Sequence, residues 1–341
     1  MKMKALLFSL LVAPAALFAC TVPVFRYALE RWAPDPHLIF HAGRESSEKG
    51  AWLDGLASGS HHTNLYAMRD IEEATLAPGE VRLVFEESMI EWWRGPMDAE
   101  TLERLADSPL RRELVRELLS GTSTVFVLVQ SGDPETDAAT ETKVRSLLEK
   151  LEKILELPEA PEYDEDDPRG RSMTELPLKL EFSLLVLESG DAAEDFFRKQ
   201  LHAVVEGPPE EGPVLAAVFG QGRAISLPFS MITEELLTEL CWFLEGPCSC
   251  QVKALNPGYD LVLTADWDYA VQKYPEEVEH TLPSGKSFRL SEAPSAEPAS
   301  EAVPPEVHTA STSQTWKLLV GGGLLIFVLG FLGRKLITNL P

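Results

Sequence analysis

The chain has 341 residues, with 54 Asp and Glu against 30 Lys and Arg, for a net charge of −24. That surplus of negative charge argues against nucleic acid or an anionic lipid surface as a main partner, since both are polyanions. Hydrophobic residues make up 45% of the chain and cysteines number only four, so apolar packing, not a disulfide or metal scaffold, must supply the core.

Met1-Lys2-Met3-Lys4 and the apolar run Ala5 to Phe18 have the form of an export signal, a basic start followed by a short apolar stretch. Leu17-Phe18-Ala19-Cys20 stands where cleavage would fall. Ala19 suits an ordinary signal peptidase, and the same four residues resemble a bacterial lipobox, in which Cys20 would be lipidated. Either route assigns residues 1–19 to a signal peptide.

Residues 20–120 read as an N-terminal α/β region. Val22 to Trp32 has helical character, Leu38-Ile39-Phe40 is strand-like, and 46–57 is weakly helical. Leu65 to Met68 and Val81 to Phe85 read as strands, and Asp98 to Leu119 as strong helix, giving the order α-β-α-β-β-α. Trp92-Trp93, beside Met89, Ile90 and Pro96, form either an exposed aromatic contact surface or part of the core. His37, His41, His61 and His62 crowd together, and His37 and His41 share one face of a strand. Zinc accepts such ligands, but the spacing matches no zinc motif, so the plainer reading is surface and strand histidines.

The segment 122–246 has the clearest pattern. Val125-Phe126-Val127-Leu128-Val129 is the continuous apolar run of a strand buried on both faces. Asp133-Pro134 pairs an N-cap with a proline at the first helical position, and Val144, Leu147, Leu148, Leu151, Ile154 and Leu155 make a helical stripe. Asp133, Glu135 and Asp137 alternate loosely like a calcium loop, but the glycine and distal Glu of that motif are missing and N-capping accounts for Asp133. The acidic run Tyr163 to Pro168 lies in a polar break and is either a solvated loop or a calcium site. Leu180 to Leu187 is a second apolar strand. Asp191-Ala192-Ala193-Glu194 reads as a capping box opening a helix with Phe196, Phe197, Leu201, Val204 and Val205. Val214 to Phe219, Gly220-Gln221-Gly222 and Arg223 to Leu227 read as a hairpin. A last helix carries Ile232 to Leu244 and stops at Gly246-Pro247.

The order β-α-β-α-β-β-α makes a central sheet with helices on both sides. On these residues the segment resembles the thioredoxin fold: Pro213 stands where that family places a cis-proline, and Phe219-Gly220-Gln221-Gly222-Arg223 matches its hairpin turn. The family carries Cys-x-x-Cys at the first strand-to-helix turn. Here that turn is Ser131-Gly132-Asp133-Pro134-Glu135-Thr136-Asp137, with no thiol to be activated at the helix start. The resemblance therefore implies the fold, and a binding or structural role of the kind that members without the motif serve. Residues 20–120 follow the same order without the first strand and read as a candidate degenerate repeat. Cys20 to Trp32 and Gly246 to Lys253 also resemble signature stretches of an uncharacterised family of exported bacterial membrane-anchored proteins, a likeness that implies export and no known activity.

Cys248-Ser249-Cys250 is the most pointed chemical motif. Thiols two apart can chelate a soft cation such as Cu(I) or cycle as a reducible disulfide. The same residues could equally form a structural bridge, to each other or to Cys20, or remain inert, and Cys241 beside Trp242 reads as core. Residues 121–290 are thus a thioredoxin-like domain with a Cys-x-Cys extension. Residues 291–315 are a Pro-, Ala- and Ser-rich stalk. Trp316 to Lys335 encloses the uncharged apolar run Leu318 to Gly333, read as a transmembrane helix. Arg334 and Lys335 place residues 336–341 in the cytoplasm and the bulk of the chain outside it.

No hydrolase motif is present, Gly220-Gln221-Gly222 lacks the lysine of a phosphate loop, and no cofactor is implied. The sequence thus points to a non-catalytic, single-pass, extracytoplasmic binding or scaffold protein, an accessory component of an envelope or transporter complex with a protein partner. The alternative is a thiol-disulfide or copper-handling protein acting through Cys248 and Cys250.

Overall fold

The computed structural model describes residues 22–42, 50, 53, 55–56, 62–69, 76–77, 79–86, 88–96, 98–158, 174, 176–205, 210–248 and 252–272. Residues 1–19, read above as an export signal, Cys20, His61, Cys250, the acidic run 163–168, residues 291–315, read as a stalk, and the apolar run 318–333 lie outside them. Among the described residues no helix is long and apolar enough to cross a membrane.

Two mixed sheets and their helices make an α/β unit. The first sheet contains β1 (His37–His41), β2 (Leu65–Arg69), β3 (Glu80–Phe85) and β4 (Glu91–Pro96) in the order β2-β1-β3-β4. The second contains β5 (Thr124–Val129), β6 (Phe182–Leu187), β7 (Val214–Phe219), β8 (Arg223–Leu227) and β9 (Tyr259–Asp260) in the order β6-β5-β7-β8-β9. In each sheet the first two strands in the chain are parallel, the third is antiparallel to the first, and the fourth is antiparallel to the third. The first four strands of the two sheets therefore share one order and one set of directions.

The helices are α1 (Val24–Arg31), α2 (Ala99–Ala106), α3 (Pro109–Leu119), α4 (Pro134–Ile154), α5 (Asp195–Ala203), α6 (Glu234–Glu245) and α7 (Trp267–Gln272). Residues 50, 53, 55 and 56 are also helical. β5 is buried at all six positions, as its unbroken apolar run requires, because helices cover both of its faces. Phe126 and Leu128 face α4, α6 and α1, through Val144, Leu148, Leu237, Leu244, Phe25 and Ala28. Val125, Val127 and Val129 face α3 and α5, through Leu114, Leu118, Phe197 and Leu201. The first in the chain, α1, thus packs on the second sheet. In the first sheet Ile39, Val81 and Leu83 meet Leu53, Leu56, Leu102 and Leu105.

α5 lies between the sheets. Phe197 and Leu201 belong to the core of the second, while Phe196 and Val204 belong to that of the first. Phe196 meets Trp93 edge-on, with ring centroids 5.0 Å apart. Trp92 is buried and Trp93 is half-buried against the core of the first sheet, so the pair packs inward and does not form an open contact surface.

Several local details differ from the sequence reading. The stretch 98–119 is two helices, because Ser108 caps Arg111 N and Pro109 opens a second helix, an arrangement that ends the first at Ala106. Ahead of α5 a 3-10 turn at Ala192–Glu194 replaces the expected capping box. The Glu194 carboxylate does not reach back to Asp191; it accepts the Ser108 hydroxyl at 2.5 Å and the Leu110 amide at 2.7 Å, anchoring the start of α3. No described peptide bond is cis, so Pro213 enters β7 through a trans bond. Its neighbour Gly212, at φ +126°, turns the chain there.

The β7–β8 hairpin has the predicted glycines for a physical reason. Gly220 has φ +61°, and a Cβ there would lie 2.6 Å from Ala28 Cβ on α1. Gly222 has φ +103°, and a Cβ there would lie 2.5 Å from Leu263 Cδ1.

Candidate functional site

The turn ahead of α4 is where the resemblance would place redox chemistry. The Asp137 side chain, buried although it belongs to the first turn of a helix, folds back over that turn. Its Oδ1 accepts the Ser131 amide at 2.8 Å and the Ser131 hydroxyl at 2.8 Å, and its Oδ2 accepts the Gly132 amide at 3.0 Å. Asp133 caps Glu135 N at 3.3 Å and takes the Thr136 hydroxyl at 2.6 Å. The Thr136 hydroxyl and the amides around it hold the Asp133 carboxyl below its usual range. The positive end of a 21-residue helix is therefore already occupied by two carboxylates of the chain itself. A thiolate or an anionic ligand would find these amides taken.

The described cysteines are equally closed. Cys241 and Cys248 are both buried. Burial, with the nearby Glu245 adding to it, pushes the Cys241 thiol well above its ordinary range, which suppresses the reactive thiolate. The Cys248 amide donates to Val22 O at 2.9 Å, the Val24 amide donates to Gly246 O at 3.1 Å, and Pro23 and Pro247 form a β-bridge. The structure therefore lays the residues after α6 antiparallel to those before α1, stitching together the two stretches that the sequence singled out.

The histidines are dispersed. His37 packs on Phe85 with centroids 4.8 Å apart, and burial drives its pKa down to about 4, so the ring is neutral. Its Nε2–H donates to Asp260 O at 2.8 Å. His62 is exposed, with Nδ1 3.5 Å from Asp266 Oδ2. No group of three or more His, Cys, Asp or Glu among the described residues could hold a metal ion.

A cluster of charges that the sequence did not bring together sits where β1 approaches β9. Asp260 and Arg223 are buried, Lys253 is mostly so, and Asp35 is half-exposed at the rim. The Lys253 ammonium donates to Asp35 Oδ1 at 2.8 Å, to Asp260 Oδ2 and to Ala33 O at 2.5 Å. Arg223 donates to Asp260 Oδ1 at 3.4 Å, Pro257 O at 2.9 Å and Asn256 O at 2.8 Å. Burial pushes the Asp260 carboxyl upward, and Lys253 is the strongest group opposing that. The cluster opens on a cleft of about 210 Å³ lined by Asp35, Glu86, Lys253 and Ala254. All three Lys253 donors are occupied, so the amine is neither a free nucleophile nor an anion anchor. The arrangement binds the first sheet to the end of the second. Its one legible signal was Arg223, a charge set in an otherwise apolar hairpin.

A scan against protein-family models and a search of curated proteins each found no match to the chain.

Proposed function

We propose that this is a non-catalytic binding or scaffold protein of the bacterial envelope, built from two thioredoxin-like halves. It is held to the membrane by a C-terminal helix and carries its folded part outside the cytoplasm, where it docks a protein partner as an accessory component of an envelope or transporter complex. The observation that carries the non-catalytic part is the Asp137 carboxylate filling the turn ahead of α4, where redox members of the family hold their thiols. The strand order and directions shared by the two sheets support the thioredoxin-like reading of both halves. The export signal and the apolar span Leu318 to Gly333 support the anchored, extracytoplasmic placement. Burial of Cys248 weighs against the alternative of thiol or copper chemistry at Cys248 and Cys250.

Two experiments test this reading. Alkaline extraction of native membranes, with protease added from outside, should leave the chain membrane-bound and its folded part cleavable. A chain released by alkali would remove the anchor from the account. Cys248→Ser should leave partner capture unchanged, and loss of function in a folded Cys248→Ser protein would move the thiol reading ahead.

A further inference from the structure

The cleft at the junction of the two sheets joins a charged wall to an apolar rim. Behind the wall, Asp35, Glu86 and Asp260 stand against Lys253 and Arg223, three carboxylates against two cations. Both cations turn inward, Lys253 onto Asp35 and Asp260, and Arg223 onto Asp260 and the carbonyls of Asn256 and Pro257. Glu86 is the carboxylate left over. Its amide donates to Pro36 O at 3.2 Å, which sets it beside Asp35. Its side chain is exposed and has no ion pair among the described residues.

The rim is a different surface. Glu86 shares the β3–β4 turn with Met89 and Ile90, a turn closed by the Phe85 amide on Ile90 O at 3.1 Å and the Met89 amide on Phe85 O at 2.7 Å. On the other side of the cleft, Ala254 belongs to the 3-10 turn Lys253–Leu255, which follows Val252. Met89, Ile90, Val252 and Leu255 are four of the eleven large apolar side chains exposed among the described residues, and Leu255, at 73%, is the barest of them. Single exposed apolar side chains need no explanation, but a group of them on two short turns around one cleft marks a contact surface.

We propose that this cleft docks an arginine side chain of a protein partner, with apolar residues on either side of that arginine seated on the rim. The inference rests on the reading of the chain as a partner-docking protein and names the surface that docks. Charge selects a cation, because an anion would meet Glu86 and Asp35 while the Lys253 donors are already engaged. Size selects one side chain: at about 210 Å³ the cleft is smaller than the roughly 300 to 1,000 Å³ pockets that enclose whole small molecules. Two carboxylates carried on separate loops suit the planar fork of a guanidinium, which can donate to both at once, better than the point charge of an ammonium. The aliphatic stem of the arginine and its apolar neighbours would cover Met89 and Leu255.

The test is fluorescence anisotropy of the full-length chain in mild detergent with a labelled, end-blocked peptide, Gly-Ser-Val-Leu-Arg-Leu-Val-Ser-Gly. The control is the same peptide with citrulline for arginine, which keeps the shape, loses the charge and reports any partition into detergent. The arginine peptide should bind with a Kd of about 50 µM, and the citrulline peptide about 10-fold more weakly or worse. Glu86→Arg should abolish the difference between the peptides while the thermal midpoint stays near native, since Glu86 is exposed. Leu255→Ser should weaken the arginine peptide about 5-fold. Glu149→Arg makes the same change of charge at an exposed position on α4, which does not line the cleft, and should leave both affinities unchanged. Equal binding of the two peptides to the native chain, a difference that survives Glu86→Arg, or an equal loss in Glu149→Arg overturns the proposal. Partner capture from native membranes separates this failure from that of the wider reading. A Glu86→Arg chain that still captures the partner refutes the cleft alone, whereas arginine-dependent peptide binding with no partner captured refutes the partner-docking reading alone.

Discussion

The Asp137 carboxylate and the Gly132 amide, 3.0 Å apart, close the turn ahead of α4 from within, so the chain supplies its own anion at the helix start. Asp137→Ala would strand the Ser131 and Gly132 amides and empty a buried site. We expect a loss of about 2 to 3 kcal/mol in denaturant unfolding, with Asp137→Asn losing less because its oxygen can still accept one amide. A change below half a kcal/mol for the alanine variant would mean that the turn does not depend on this side chain.

The charge cluster joining the sheets makes a second prediction. Lys253→Ala leaves the buried Asp260 carboxylate with Arg223 as its remaining charged partner. Removing one member of a buried pair typically costs about 3 to 5 kcal/mol, and the partial exposure of Lys253 should hold the loss near the lower figure. Urea titration of the single variant, and of Lys253→Ala combined with Asp260→Asn, should show the double change costing less than the sum of the two.

Glu245 predicts a pH dependence. The residue is buried, neither carboxyl oxygen has a hydrogen-bond partner among the described residues, and burial raises its pKa from 4.5 to about 8. The Ser123 hydroxyl offsets this little, since it donates to Glu181 O at 2.7 Å. Between those two pKa values the folded chain holds a proton that the unfolded chain has lost. This group's contribution to stability therefore falls as pH rises from about 4.5 to about 8 and levels off above, a change on the order of 5 kcal/mol. Glu245→Gln should remove that slope and be the more stable protein near pH 8. Parallel slopes for the two proteins would count against a buried, neutral Glu245.

Gly220 tests the docking of α1 on the hairpin. Gly220→Ala meets both a left-handed backbone conformation and a contact of 2.6 Å with Ala28. We expect a loss of about 2 to 4 kcal/mol by thermal unfolding. A near-neutral result would mean that α1 does not press on the turn.

Much of the second sheet was legible in the sequence. β5 is an unbroken apolar run, α4 begins at Asp133-Pro134, and the β7–β8 turn is marked by Gly220 and Gly222. β4 was not legible, because Glu91-Trp92-Trp93-Arg94-Gly95-Pro96 sets two tryptophans side by side and ends in turn residues, which hides the period of two. The division between α2 and α3 was masked by apolar periodicity that runs on through Ser108-Pro109. The Asp137 contacts were local but required the side chain to fold backward. The Asp35–Arg223–Asp260 cluster joins positions 225 residues apart along the chain at its extremes, and no spacing rule reaches that far.

Insulin reduction by the purified full-length chain, with dithiothreitol as electron donor, tests the central claim most directly. The account predicts a rate equal to that of dithiothreitol alone, in the native chain and in Cys248→Ser alike. A rate well above that background, abolished by Cys248→Ser, would contradict it and make this chain a thiol-disulfide enzyme.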